Sequence, residues 1–284
     1  MSHSAPRAAL VAAVLTLSAT APWGAASGRR AEAEEPPAAR AAGMVKTNPM
    51  DGAEMVWVPE GQFRMGTPEV QALVLGEEQP VHLVRIGHGF WIYKTPVTNA
   101  QYRRFLEANP QHRKPAFWSM PENNAPAQPV VGVDWKDAND YCVWAHAELP
   151  TEAQWEYAAR GPKSTFYPWG NAEPTPKLAV YNRQKAAPVG SCPNGKSWCG
   201  ALDMVGNVSQ WCADWFGDNY YKKSPAIDPP GPSKPAELRQ RNIRCSPFGM
   251  GEINLRASFR ARGMDDDRND DLGFRPMQAD ASGS

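Results

Sequence analysis

Five cysteines, Cys142, Cys192, Cys199, Cys212 and Cys245, have the widest chemical reach in this 284-residue chain. Thiols form disulfides, hold soft metals or act as nucleophiles, and their spacing narrows the choice. None stands as Cys-x-x-Cys or at a zinc-type distance from a histidine, so the pattern does not suggest zinc. Cys192 and Cys199 enclose Pro193-Asn194-Gly195, a turn that can bring two sulfurs together, and a disulfide is expected there. Cys212 with Cys245 is a second possible bridge, which leaves one thiol over. His82 and His88 are six apart, but Gly87 interrupts the strand that would place them on one face as a metal pair. The acidic run Asp265–Asp267 with Asp270 and Asp271 lacks the glycine and terminal glutamate of an EF-hand loop and reads as solvated.

These groups need a scaffold, and its hub is Ala147–Gly161, AELPTEAQWEYAARG. Thr151 is a helix N-cap with Gln154 three residues on, a capping box. Trp155, Ala158 and Ala159 form the apolar stripe and Gly161 the stop. Leu202–Trp215, LDMVGNVSQWCADW, sets apolar anchors around a Gly-Asn turn. Short strands are expected at 55–58, 61–66, 81–86, 90–93, 208–215 and 255–261, with further helices at 99–108 (capped by Thr98) and 135–147. Residues 216–240 read as a long polar loop. Few helices, many short strands and long loops make this an α+β domain, irregular and low in regular secondary structure.

Thirty Lys and Arg balance thirty Asp and Glu, and no basic stripe is present, which argues against nucleic acid as a partner. Arg7 precedes an apolar run, Ala8–Ser18, too short to span a bilayer, and Ala19-Thr20-Ala21 and Gly24-Ala25-Ala26 offer cleavage sites. The reading is a signal peptide over 1–26, a disordered linker over 27–50 and a single domain over 51–280. Export to the periplasm, with no membrane span after cleavage, follows from it and makes disulfides permissible.

MVWVPEGQFRMG, FWIYKTPVTNAQYRRF, LPTEAQWEYAARG, YPWGN, LDMVGNVSQW and LGFRP occur in the order found in the formylglycine-generating enzyme (sulfatase-modifying factor) family, over roughly Met55–Met277. The chain therefore resembles that family, whose fold is an irregular domain related to C-type lectins. The resemblance implies an oxidase that holds copper(I) between two thiolates and turns a substrate cysteine into an aldehyde. Counting back from Leu272–Arg275, the thiolate positions fall on Pro247 and Glu252, so no copper is expected. Arg256 and Arg260 fall on the family's two arginines. The family's calcium segment matches Val205–Trp211; Asn207 and Gln210 are its candidate ligands here, with Gln210 in place of a glutamate.

Glu252, at the expected floor of the pocket, is the candidate general base, or else one half of a structural pair with Arg256. Cys245 is a candidate reactive thiol or a disulfide partner. Trp211 and Asp271 are candidate walls of the substrate site, the tryptophan alternatively a core residue, and Arg244 and Arg260 complete the candidate ligand surface. The chain looks like the exported family branch that finishes the chromophore of pyoverdine siderophores. That implies a periplasmic oxidoreductase or maturation factor acting on a small peptide-derived dihydro precursor, with molecular oxygen or an external acceptor taking the electrons. The alternatives are a non-catalytic lectin-like binding or accessory module and, third, a formylglycine-generating oxidase.

Overall fold

A computed structural model describes Met1 and residues 40–68, 77–235 and 237–280. The expected signal segment and most of the expected linker lie outside these residues. The first strand, β1 (Val45–Thr47), falls inside the stretch read as linker, yet it pairs antiparallel with β2 (Glu54–Val58). The folded domain thus begins before residue 51, and the Gly43 amide already donates to the Trp57 carbonyl. The sequence hides this strand because its burial pattern is mostly exposed: an edge strand carries little hydrophobic signal.

β5 (Phe90–Tyr93) pairs with β2 and with β10 (Met277–Ala279), closing a four-stranded sheet in the order β1-β2-β5-β10. The first and last strands of the described residues therefore share one sheet. β3 (Gly61–Met65) and β4 (His82–Ile86) make a separate antiparallel pair. A third sheet runs β8-β7-β6-β9, built from β6 (Ser209–Trp215), β7 (Gln240–Arg244), β8 (Arg260–Met264) and β9 (Leu272–Phe274), with β6 and β9 parallel. The strand expected at 255–261 is displaced: residues 255–259 form a turn and the strand begins at Arg260. β7 was hidden by its sequence, QRNIR, in which polar side chains point into the interior rather than out of it.

The three helices start where their caps predict. Thr98 and Gln101 form a capping box on α1 (Asn99–Ala108), Asp134 and Asp137 on α2 (Trp135–Trp144), and Thr151 and Gln154 on α3 (Glu152–Arg160). Each cap is worth about 1 kcal/mol. α1 and α2 bury Tyr102 and Tyr141 against each other, stacked at 5.6 Å, in the core that also holds Trp211 and Phe274. α3 packs Trp155, Ala158 and Ala159 into a second core with Phe63, Val84 and Ile86 from the small sheet.

α3 also carries two buried carboxylates one turn apart. Glu152 Oε1 accepts from Arg244 Nη1 at 2.9 Å, Arg260 Nε at 2.8 Å and Tyr221 OH at 3.0 Å. Glu156 Oε2 accepts from Arg244 Nη2 at 2.6 Å, while its Oε1 takes the Gly66 amide at 2.9 Å and Arg160 Nη1. Burial alone would raise the Glu156 pKa, but Arg244, Arg160 and the Gly66 amide outweigh it and hold the carboxyl below its usual range. Its stabilising contribution is therefore full above the ordinary carboxylate range and is lost as pH falls through the lowered folded value. Glu156→Ala strands two buried guanidinium groups and is expected to cost about 3–5 kcal/mol in urea unfolding at neutral pH. Lys136→Ala, which removes an exposed pair with Asp140, should change stability by less than about 1 kcal/mol. Glu156→Gln should also flatten the loss of stability on acidification that the unaltered protein shows.

Candidate functional site

The segment that the sequence singled out, 245–256, leaves β7 through a left-handed residue, Cys245, at φ 71°. The chain then turns over the strand ends and is tied down by backbone bonds: Phe248 N–H to the Asn207 carbonyl, Asn182 N–H to Met250 and Arg183 N–H to Phe248. One turn of 3-10 helix, Glu252–Asn254, follows before the chain dives back at Leu255. Glu252 sits on that turn and is exposed. It is therefore not on the floor of a pocket. Its Oε1 accepts from Tyr181 OH at 3.1 Å, and burial together with the carboxylate pushes the phenol pKa up. Arg256 is not its partner either. Arg256 Nη2 binds Glu78 Oε1 at 2.6 Å, in a buried group with Thr67 and Ser258.

Alongside this segment lies a cleft of about 840 Å³, walled by residues from 176–192 and by Gln128. The bonds from Asn182 and Arg183 to Met250 and Phe248 make the Glu252 segment the backing of one wall. Glu252 and Tyr181 are tied to that wall through the backbone of their segments but do not themselves line the cleft. Asn182, left-handed at φ 51°, turns the chain so that Arg183 and Lys185 project at the cleft surface. Of these cleft residues only Cys192 was singled out from the sequence, and then as a disulfide partner. Their stretch, VYNRQKAAP, has no periodicity, and its position is fixed by partners far along the chain.

The other expected site residues are elsewhere. Arg244 and Arg260 are both buried and consumed by the α3 carboxylates. Trp211 is a core residue, fully buried, with its Nε1 donating to the Val133 carbonyl at 3.0 Å. Asp271 is partly buried just before β9, where burial and Asp270 push its carboxyl upward, and it does not line the cleft. The Cys245 thiol is buried against the Gly206 and Ser246 carbonyls, and burial pushes its pKa up strongly, the reverse of what an activated thiol needs.

The residues matched to calcium do not fit a hard cation. The Asn207 amide makes two bonds with the Ala187 backbone. Gln210 Oε1 accepts from Trp155 Nε1 at 2.8 Å and from the Arg275 guanidinium at 2.7 Å, while its Nε2 donates to the Asp203 carbonyl. An oxygen already shared by two donors, one of them cationic, repels a metal ion. Among the described residues no group of three or more His, Cys, Asp or Glu side chains is arranged to hold a metal. A copper(I) clamp does not fit either, because Pro247 and Glu252 offer no thiolate.

The expected disulfides are absent: all five cysteines are buried free thiols. Cys192 Sγ faces the Pro176 carbonyl, whereas Cys199 Sγ faces Ser197 and the Ala158 carbonyl, so the intervening turn points the two sulfurs apart. Unfolded in guanidinium without reductant, the protein should release all five thiols to Ellman's reagent. In the native state only Cys192, at the cleft wall, should react at an appreciable rate. Three thiols after unfolding would restore the bridge.

Comparison with known proteins fits this architecture. The profile of the sulfatase-modifying factor enzyme 1-like domain matches residues 41–279. The chain is 32% identical to the formylglycine-generating enzyme of Streptomyces coelicolor, covering 86% of this chain and 93% of that protein. Among solved structures it is similar to PvdO from Pseudomonas aeruginosa, with a TM-score of 0.74 and 28% identity over 85% of this chain and all of that one. Treponema denticola variable protein 1 shares the fold, with a TM-score of 0.65 at 21% identity over 84% of this chain. A profile match over most of the chain, together with these likenesses, places the protein in the sulfatase-modifying factor (formylglycine-generating enzyme-like) family.

Proposed function

We propose that this protein is an exported maturation oxidoreductase of its family, acting in the periplasm on a small peptide-derived substrate, a dihydro-chromophore precursor of a pyoverdine-type siderophore. The observation that carries the reading is an exposed carboxylate, Glu252, accepting from the Tyr181 hydroxyl, on a segment whose backbone is bonded to the wall of an 840 Å³ cleft. At the positions matched to the family's copper thiolates, Pro247 and Glu252 offer no sulfur. The full-length likeness to PvdO supports the same reading.

In this reading the substrate lies in the cleft and Glu252 takes a proton from it, with Tyr181 OH holding the carboxylate in place. Two electrons and the second hydrogen leave for an external acceptor. With molecular oxygen, one precursor and one O2 give one oxidised chromophore and one hydrogen peroxide. Tyr181 orients the base; it does not itself need to ionise.

The second reading, a binding module without chemistry, is favoured by one feature: Glu252 is exposed and, among the described residues, its carboxylate has Tyr181 as its one hydrogen-bond partner. One experiment separates the two. Deleting the gene in its own host should leave a secreted siderophore heavier by two hydrogens and lacking chromophore fluorescence. Complementation with Glu252→Gln should lower the oxidation rate about 10²–10⁴-fold with an unchanged melting temperature. Normal fluorescence in the deletion strain removes the maturation role. Full complementation by Glu252→Gln removes the base and leaves the binding reading.

A further inference from the structure

The cleft walled by residues 176–192 carries only basic charge. Of its thirteen lining residues only two are ionic at neutral pH, Arg183 and Lys185, and both are basic. Both side chains are exposed, and neither has a hydrogen bond or an ion pair with a carboxylate among the described residues. The interior arginines, by contrast, are paired. Arg160, Arg244, Arg256 and Arg260 are each bound to a glutamate in the interior, and Arg113, Arg239 and Arg262 to carboxylates nearer the surface.

The nearby carboxylates are turned to other tasks. Asp203 accepts the Gly190 amide at 2.7 Å, and burial pushes its pKa up, which favours its neutral form. Glu252 is held by Tyr181. Nothing acidic lines the cleft itself. Much of the remaining lining, including Pro176, Val180 and Pro188, is apolar, which suits a ligand with a nonpolar body and lowers the local dielectric around a charged contact.

We infer that the cleft selects a ligand bearing an anionic group, a carboxylate or an oxyanion of similar size, which Arg183 and Lys185 hold while the nonpolar body of the ligand lies on the cleft wall. The inference deepens the proposed function and rests on it only for the identity of the cleft as the substrate site. In the proposed function, anchoring one end of the substrate on the two cations leaves the other end to extend toward the neighbouring segment that carries Glu252. Arg183 is the stronger element, because its planar guanidinium can bind a carboxylate through two parallel hydrogen bonds, whereas Lys185 adds a point charge. Both residues are binding residues; neither is assigned a chemical step.

The test uses the whole folded protein and two dyes of nearly the same shape: 8-anilinonaphthalene-1-sulfonate, which is anionic, and N-phenyl-1-naphthylamine, which is neutral. The double variant Arg183→Ala/Lys185→Ala should bind the anionic dye about tenfold more weakly, as expected for the loss of two partly exposed charge contacts, and the neutral dye unchanged. The preference for the anion should shrink in the unaltered protein as sodium chloride rises from about 50 to about 500 mM, since exposed charges are screened over that range. Because both side chains are exposed, the melting temperature should not move. The charge-reversing variant Arg183→Glu provides a second reading and should abolish the preference altogether. Equal affinity for the anionic dye in all three proteins overturns the inference. If the anion preference is present but the siderophore precursor is not oxidised, the proposed function fails and the anion site stands. If the precursor is oxidised with a KM that neither variant alters, the reverse holds.

Discussion

Arg244 is the residue on which the rest of the structure leans. Its guanidinium, fully buried, spans Glu152 and Glu156 on one helix and also donates to the Ala257 carbonyl, so three distant parts of the chain converge on one cation. Burying charge in this way is costly, and Coulomb attraction offsets the cost only when the remaining lone pairs and protons find partners. Here they largely do: the Gly66 amide, Arg160, Arg260 and Tyr221 complete the two carboxylates. Glu152 also lies in the first turn of α3, where the helix dipole favours negative charge. A hydrophobic replacement could give equal stability. It would not fix the angle at which β7 and β8 meet α3.

This constraint decides where function can reside. Arginines committed to interior carboxylates cannot be released to a ligand without leaving charges unpaired in a low-dielectric setting. The interior of the third sheet is therefore closed to substrate, and the variable chemistry of the fold moves outward to the segments at its margins. Two such segments are fastened to each other by backbone bonds alone, 180–183 and 248–250. Backbone bonds leave the side chains of both segments free of that task.

Much of this was legible in the sequence, and the rest was not for identifiable reasons. The capping boxes at Thr98 and Thr151 fixed the starts of two helices, because a cap is a local event read within four residues. The α+β class, the strands at 55–58, 61–65 and 90–93, and the family all followed from local patterns as well. The site did not. Position 252 was assigned to a pocket floor by gap-free counting from Leu272, but counting gives no information about which way a one-turn helix faces. Arg260 was placed at the site by its match to a family arginine and Arg244 by opening the stretch read as a ligand surface; their partners are about ninety or more residues away on α3. The i, i+4 spacing of Glu152, Glu156 and Arg160 was the one signal that could have warned of it. Three ionic groups on the face of a helix that also carries a buried tryptophan require partners from elsewhere.

Gln210 shows the same logic at the level of a single atom. Its amide oxygen receives the Trp155 indole and Arg275, while Arg275 also donates to the carbonyls of Tyr93, Leu202 and Asp203. Burial lowers the Arg275 pKa to about 10, so this guanidinium remains charged at neutral pH although no carboxylate bonds to it directly. A neutral amide at 210 and a set of carbonyl dipoles thus solvate a buried cation that joins α3, β6 and β9. Wherever this fold needs a positive charge inside, it supplies it from its own chain and surrounds it with oxygens.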